Sequence, residues 1–211
     1  MTASVDLSVR LAGRAARLFS IDIEREQLEK LAEFAHLLDR WNQTSNLCSF
    51  GSREELFERH LLDSLAPAVF LRAASRIADV GSGAGLPGVP LAIVLSGVEL
   101  TLIEAKQRRV SFLNEVVRRL GLVGVRVEES RAEASGVRAI DAAVGRGVRS
   151  DVIGAFAREA LGPEGRLILM VKHGAKSLPP WGFEVVSRVR YQLDGGFDHE
   201  AVELRAKQRS T

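Results

Sequence analysis

The chain has 211 residues, 46% of them hydrophobic and 27% charged, with a formal net charge of +2. That is enough apolar chain to bury a real core in one domain with an appendage. It excludes a disordered protein, and no apolar run approaches the roughly twenty residues that a membrane helix needs. The single cysteine, Cys48, excludes an internal disulfide and a cysteine-rich zinc site. It suits a reducing, cytoplasmic compartment, and no residue is assigned to a metal. Cys48 itself reads as a small buried hydrophobe. Arginine far outnumbers lysine, so basic character can concentrate locally, which permits an RNA partner without requiring one.

Taken in order, residues 4–20 are predicted as a helix with Val5, Val9, Ala12, Ala16 and Phe19 on one face. Residues 24–41 form a second, with Leu28, Leu31, Phe34, Leu38 and Trp41 in one apolar stripe. Such stripes serve a core. Ser52-x-x-Glu55 has the form of a capping box and starts a third helix, running through Leu56, Phe57, Leu61 and Leu65 to about Leu71. Residues 1–72 are therefore read as a helical extension packed on a core of residues 73–211.

From Ile77 the pattern changes to short apolar strands alternating with amphipathic helices. This predicts an α/β fold with a mostly parallel sheet covered on both faces. Strands are expected at 77–80, 99–103, 125–128, 141–144 and 166–171, and helices at 89–96, 107–120 and 151–161. Gly121 caps the second of these helices, and Gly162-Pro163-Glu164-Gly165 stops the third. Residues 183–191 and 201–204 are expected to close the sheet. Ligands collect at the carboxyl ends of the strands in such folds, where Asp79, Glu104, Glu129, Gly145-Arg146 and Lys172 all fall.

The stretch 76–97 carries the most chemistry. Ile77-Ala78-Asp79-Val80 leads into Gly81-Ser82-Gly83-Ala84-Gly85-Leu86-Pro87-Gly88, and an apolar helix follows from about Val89. Four glycines in eight residues allow positive φ and let a ligand approach the main chain, so strand, loop and helix make a nucleotide-cradling unit. Two cofactors fit. Gly83-x-Gly85-x-x-Gly88 followed by Glu104 has dinucleotide spacing. Asp79-x-Gly81-x-Gly83-x-Gly85 has the form of the S-adenosylmethionine loop of Rossmann-like methyltransferases. Glu104 can accept both ribose hydroxyls of either. No His or Tyr–Lys pair stands out as a hydride-transfer acid, which disfavours a nicotinamide.

With these residues in view, the chain resembles the RsmG (GidB) family over nearly its whole length. The resemblance runs through Trp41-Asn42-x-x-x-Asn46-Leu47, Arg59-His60-Leu61-Leu62-Asp63-Ser64-Leu65 and Asp79-Val80-Gly81-Ser82-Gly83-Ala84-Gly85-Leu86-Pro87-Gly88-Val89-Pro90-Leu91. It continues through Arg108-Arg109-Val110-x-Phe112-Leu113 to Arg131-Ala132-Glu133. The glycine string beside the H-x-L-D-S helix is specific to that family. The resemblance implies a Rossmann-like class I S-adenosylmethionine-dependent methyltransferase fold with an N-terminal helical extension. It implies transfer of a methyl group to guanine N7 in small-subunit (16S) ribosomal RNA by a monomer whose partner is that RNA or the small ribosomal subunit, with no membrane. A methyltransferase with another acceptor, or a non-catalytic ribosome-binding relative, are the alternatives.

The resemblance also implies a site. Gly81 and Leu86 line the cofactor through the loop backbone, with Asp79, Gly83 and Glu104 beside them. Ala132 and Glu133 sit next to the adenine, and Arg146 lies near cofactor and target base as the candidate catalytic residue in a positioning role. No general base is expected, because guanine N7 already carries an in-plane lone pair. His60 and Ser64 share a helical face, packed under the loop or turned to RNA. Lys172 matches a family strand-end lysine, and Arg10, Arg14 and Arg17 are spaced to hold phosphates. The chain departs from the family pattern in having Glu104 for Asp, Arg108 for lysine and Gly145-Arg146-Gly147 for S-R-A. It also has Asp198-His199-Glu200-Ala201-Val202 for R-H-L-V-V.

Overall fold

The structure, a computed structural model, describes residues 2–172, 174, 180 and 182–207. Seven strands form one sheet: β1 (Arg76–Val80), β2 (Glu99–Glu104), β3 (Val125–Glu129), β4 (Ile140–Arg146), β5 (Leu161–Lys172), β6 (Phe183–Leu193) and β7 (Phe197–Ala206). They lie in the order β3-β2-β1-β4-β5-β7-β6. The first five run parallel, and β7 inserts antiparallel between β5 and β6. The order reverses direction on either side of β1, which is where open α/β sheets bind ligands. The register levels the strand ends: Glu104 pairs with Glu129, Arg146 with Met170 and Lys172 with His199.

Neighbouring residues on each central strand feed opposite layers, as the two-residue period of a strand requires. Ile77, Leu100, Leu102, Ala142, Val144 and Ile168 join one apolar cluster, and Ala78, Val80, Ile103, Ala143, Leu167 and Leu169 the other. The first layer holds α1 (Thr2–Phe19), α2 (Arg25–Ser45), the segments that follow them, α6 (Gly88–Val94) and α7 (Gln107–Leu120). The second layer is built on α8 (Ser150–Ala160). The N-terminal helices thus share one apolar cluster with the sheet.

The buried face of α1 is not the expected one. Leu11, Ala15 and Phe19 are buried while Val9 is 62% exposed and Ala16 faces solvent; the side chain of Val5 lies outside the described residues. A leucine-bearing stripe buries more apolar surface than one of valines and alanines, so the helix rotates to it. The α2 helix runs on to Ser45 because its end is built by side chains. Asn46 takes a left-handed cap conformation with φ 44°. Asn42 clamps the turn, donating through Nδ2 to the Cys48 carbonyl at 2.7 Å and accepting from the Cys48 N–H at 3.0 Å.

The single helix expected over 53–71 is broken into α3 (Arg53–Glu55), a π-helical turn (Leu56–Leu61), α4 (Leu62–Leu65) and α5 (Ala68–Leu71). The break before α5 falls at Pro67, which has no N–H to continue the ladder. Only half of the capping box forms. Ser52 Oγ accepts from Glu55 N at 3.1 Å, but the Glu55 carboxylate takes the N–H of Gly51, at 2.7 Å. Helix α6 stops at Val94 because Leu95 turns extended. Gly162-Pro163-Glu164-Gly165 belongs to β5 rather than a turn. Pairing steps from Ile140–Leu161 to Ala142–Arg166, so the four residues bulge out of the ladder, where proline's missing donor costs nothing. The closing strands are longer than 183–191 and 201–204, and they meet in a tight hairpin through Asp194, Gly195 (φ 88°) and Gly196 (φ 77°).

Candidate active site

Strand β1 delivers Asp79 beneath the glycine loop, where it is 1% exposed. Its Oδ2 accepts the N–H of Gly88, the first residue of α6, at 3.0 Å. A Cβ on Gly88 would stand 2.5 Å from that oxygen, so glycine is what lets the helix start flush against the carboxylate. The other oxygen, Oδ1, is buried with no hydrogen-bond partner. Burial pushes the Asp79 pKa up to about 7, against the lowering effect of the Gly88 N–H. Asp79, a candidate cofactor residue in the sequence, organises the loop by accepting at the start of α6. Gly81, Gly83 and Gly85 all take positive φ (69°, 57° and 80°), and Leu86 is buried at the foot of the loop.

Glu104, at the end of β2, is tied to the same loop. Its Oε2 accepts Gly83 N–H at 2.9 Å and its Oε1 accepts Lys106 N–H at 2.8 Å, with Arg109 Nη1 3.5 Å away. Each oxygen keeps accepting capacity. Ala132 and Glu133 lie in a short 3-10 turn (Ala132–Ala134) just beyond β3, at the strand edge that Glu104 shares through its register with Glu129. Ala132 packs on the second apolar cluster and Glu133 is exposed. Val148, after β4, reaches the loop from the other side: a Cβ on Gly81 would lie 3.1 Å from its Cγ2.

Beside this cradle, between the ends of β4, β5 and β7, opens a cavity of about 430 Å³ lined by Asp63, Arg146, Val148, Met170, Lys172 and His199, among others. Asp63, from α4, is 3% exposed and takes three donors. Arg146 Nη1 reaches its Oδ2 at 3.0 Å, while Tyr191 Oη and His199 Nδ1 reach its Oδ1 at 2.7 and 3.0 Å. Burial pushes the Asp63 pKa up, but the His199 hydrogen bond, the Arg146 charge and the Tyr191 hydroxyl outweigh it and leave the carboxyl below its ordinary value. It is an anion clamped by a cation. The Arg146 charge also acts on Asp79, His60 and Cys48, so it stands between cavity and glycine loop.

Sequence reasoning placed Arg146 at the end of the fourth strand, near cofactor and target base, and gave no role to Asp63, Tyr191 or His199. The available signal was Asp63 inside the H-x-L-D-S string and His199 one position after the aberrant Asp198. Asp198 itself is exposed and accepts from Gln192 Nε2 at 3.1 Å. His60 packs under the 48–50 segment, its Nε2 3.2 Å from the Ser49 carbonyl and its Nδ1 3.6 Å from Cys48 Sγ. Burial, then the Arg146 charge, lower its pKa. Burial raises that of the Cys48 thiol, which makes it a poor nucleophile. Ser64 Oγ donates to the His60 carbonyl at 2.6 Å. Arg10 and Arg14 are spent internally: Arg10 pairs with Glu54 (2.7 Å) and Glu58 (3.2 Å), and Arg14 with Glu58 and with Asp194 at 2.6 Å. Arg17 and Lys172 are exposed.

Solved structures share this architecture at low identity. TrmN from Thermus thermophilus matches with TM-score 0.53 and 19% identity over 72% of this chain and 53% of its own. The cyclase SpnF matches with TM-score 0.60 and 16% identity over 87% and 97%. These likenesses establish a Rossmann-like fold of the class I methyltransferase type and nothing about substrate. Among curated relatives, "Ribosomal RNA small subunit methyltransferase G" of Stenotrophomonas maltophilia is 45% identical over 117 residues, 56% of this chain and 55% of that protein. The protein of the same name in Dichelobacter nodosus is 43% identical over 123 residues, 58% of each. The chain thus spans about half the length of the curated relatives it matches. The family model described as rRNA small subunit methyltransferase G matches residues 27–179, which takes in the glycine loop, Asp63, Glu104 and Arg146. The chain belongs to the rRNA small subunit methyltransferase G (GidB) family.

Proposed function

We propose that this protein transfers a methyl group from S-adenosylmethionine to N7 of a guanine in 16S ribosomal RNA. The observation that carries the reading is the adjacency of two places on one sheet edge. One is a glycine cradle closed by Glu104; the other is an open cavity into which Asp63 holds Arg146. The cradle suits this cofactor better than a dinucleotide. In a dinucleotide fold the pyrophosphate sits at the helix start after the loop, and here the Asp79 carboxylate already takes that place on Gly88. Glu104 offers two carboxylate oxygens to ribose hydroxyls, and the half-buried Ala132 in the turn beyond β3 offers a small apolar surface to an adenine.

When bound, S-adenosylmethionine supplies a methyl group made electrophilic by its sulfonium. The N7 lone pair forms the new bond, the sulfur keeps the old bonding pair, and no proton has to leave. Arg146 donates only, which matches that demand. Its free N–H groups suit the carbonyl O6 of guanine, which lies beside N7 on the same base edge. Alignment of this kind recovers roughly 7–11 kcal/mol of a bimolecular barrier. Exposed cations stand at the ends of three parallel strands: Lys106 after β2, Arg131 after β3 and Lys172 at the end of β5. They favour a polyanionic substrate whose phosphates position the base. No described helix is long and apolar enough to cross a membrane; on this reading the protein acts as a cytoplasmic monomer.

The test is incubation of the purified protein with methyl-labelled S-adenosylmethionine and small subunits from cells lacking the gene, then nucleoside mass spectrometry. One 7-methylguanosine per subunit is expected. Binding of the cofactor without label in either subunits or naked 16S RNA would exclude the acceptor.

A further inference from the structure

We propose that Asp63 is a positioning residue for methyl transfer, acting through Arg146 and held in place by Tyr191 and His199. This rests on the methyltransferase reading above.

Three separate parts of the chain converge here: α4 supplies Asp63, β4 supplies Arg146, and the β6–β7 hairpin supplies Tyr191 and His199. Asp63 is an ionised carboxylate and accepts only, so His199 Nδ1 carries the proton it shares. That fixes the ring orientation and leaves Nε2 for the cavity. Tyr191 stacks edge-on against Phe19, ring centroids 5.0 Å apart at 86°, so the hydroxyl that anchors Asp63 is itself locked by the core. The carboxylate therefore has one place to be, and the guanidinium bonded to its Oδ2 inherits that precision.

The charge of the pair matters as much as its geometry. Methylation at N7 turns a neutral guanine into a cation. A lone half-buried guanidinium beside it would oppose that change, more strongly than a fully solvated one. Paired with Asp63, Arg146 presents N–H donors to the base while the pair is neutral overall. As a stabilising device alone, a buried ion pair is a poor one. Its use is to keep a donor in place without an uncompensated positive charge.

The experiment measures kcat, KM for small subunits and calorimetric affinity for S-adenosylmethionine in wild type, Asp63→Asn, Arg146→Ala and the double variant. Asp63→Asn should lower kcat roughly 10- to 100-fold, with KM and cofactor affinity within about threefold of wild type. On the Arg146→Ala background it should cost nothing further, because a residue acting through another is non-additive with it. Tyr191→Phe and His199→Asn each remove or weaken one support, and each should lower kcat about 3- to 10-fold without moving KM. They carry the test if Asp63→Asn does not fold. Unchanged kcat in these folded variants, or losses that multiply with that of Arg146→Ala, would overturn the inference alone. A wild-type protein without turnover overturns the functional reading and the inference together.

Discussion

A methyl group added at Gly88 tests whether the close contact of loop and strand is what shapes the cofactor cradle. The new Cβ would lie 2.4 Å from Leu102 Cδ2, 2.5 Å from Asp79 Oδ2 and 3.0 Å from Asp79 Cβ. Leu102 is fully buried, and the Asp79 Cβ is fixed to the backbone of β1, so the start of α6 has to move outward. Overpacking of this kind costs about 1–3 kcal/mol. Pulling the Gly88 N–H from the buried carboxylate costs about 1–3 kcal/mol more. Their sum, about 4 kcal/mol, is a large part of the roughly 5–15 kcal/mol that holds a domain folded. Urea unfolding of Gly88→Ala should show that loss, and calorimetry should show S-adenosylmethionine binding at least about tenfold weaker. Gly97→Ala is the control: it has φ +76° and open space around its Cβ, so it bears only backbone strain of about 1 kcal/mol. If Gly88→Ala loses no more stability than Gly97→Ala and binds cofactor as wild type does, the close-contact argument is refuted.

Asp79 makes the protein's stability depend on pH. Its folded pKa of about 7 lies above the ordinary carboxylate value, so the folded state binds the proton more tightly. The contribution is full below the unfolded value and is lost as pH rises through about 7, a span worth about 4 kcal/mol. Asp79→Asn should flatten the decline seen by urea titration between about pH 4 and pH 7; an unaltered decline would count against it. Glu104→Gln should weaken cofactor binding roughly 10- to 100-fold by calorimetry, the worth of a charge-assisted hydrogen bond to a ribose, and an unchanged Kd would remove Glu104 from the site. Arg14→Ala leaves the buried Glu58 carboxylate with poorer pairing and should cost about 3 kcal/mol in chemical denaturation. A loss below about 0.5 kcal/mol would mean that Arg10 alone suffices. Binding to 16S RNA should weaken log-linearly with added salt; a flat response would argue against the cations along the sheet edge.

The parts of this protein legible in its sequence are those set by local rules. Short, nearly continuous apolar runs between amphipathic helices gave five parallel strands near their true places. The glycine string announced a cradle because positive φ is a property of single residues, and Gly121 capped α7 as expected. Arg146 could be assigned to the working edge of the sheet because strand direction alone puts it there. Where two local signals competed, the sequence misled: the helical period allowed a valine and alanine stripe on α1, and only the depth of the neighbouring core selected Leu11 and Ala15. The start of β7 was hidden because Asp198, His199 and Glu200 look like a loop. Glu200 is nonetheless 1% exposed, paired with Arg188 at 3.0 Å and Arg190 at 3.4 Å across the ladder. Tertiary structure alone decided what Asp63 does. Its partners lie 83, 128 and 136 residues away, and no period or propensity reaches that far. A buried carboxylate needs donors wherever the packing can bring them, so the sequence determined the cradle and the strand edge, while the folded chain chose which side chains hold Arg146 there.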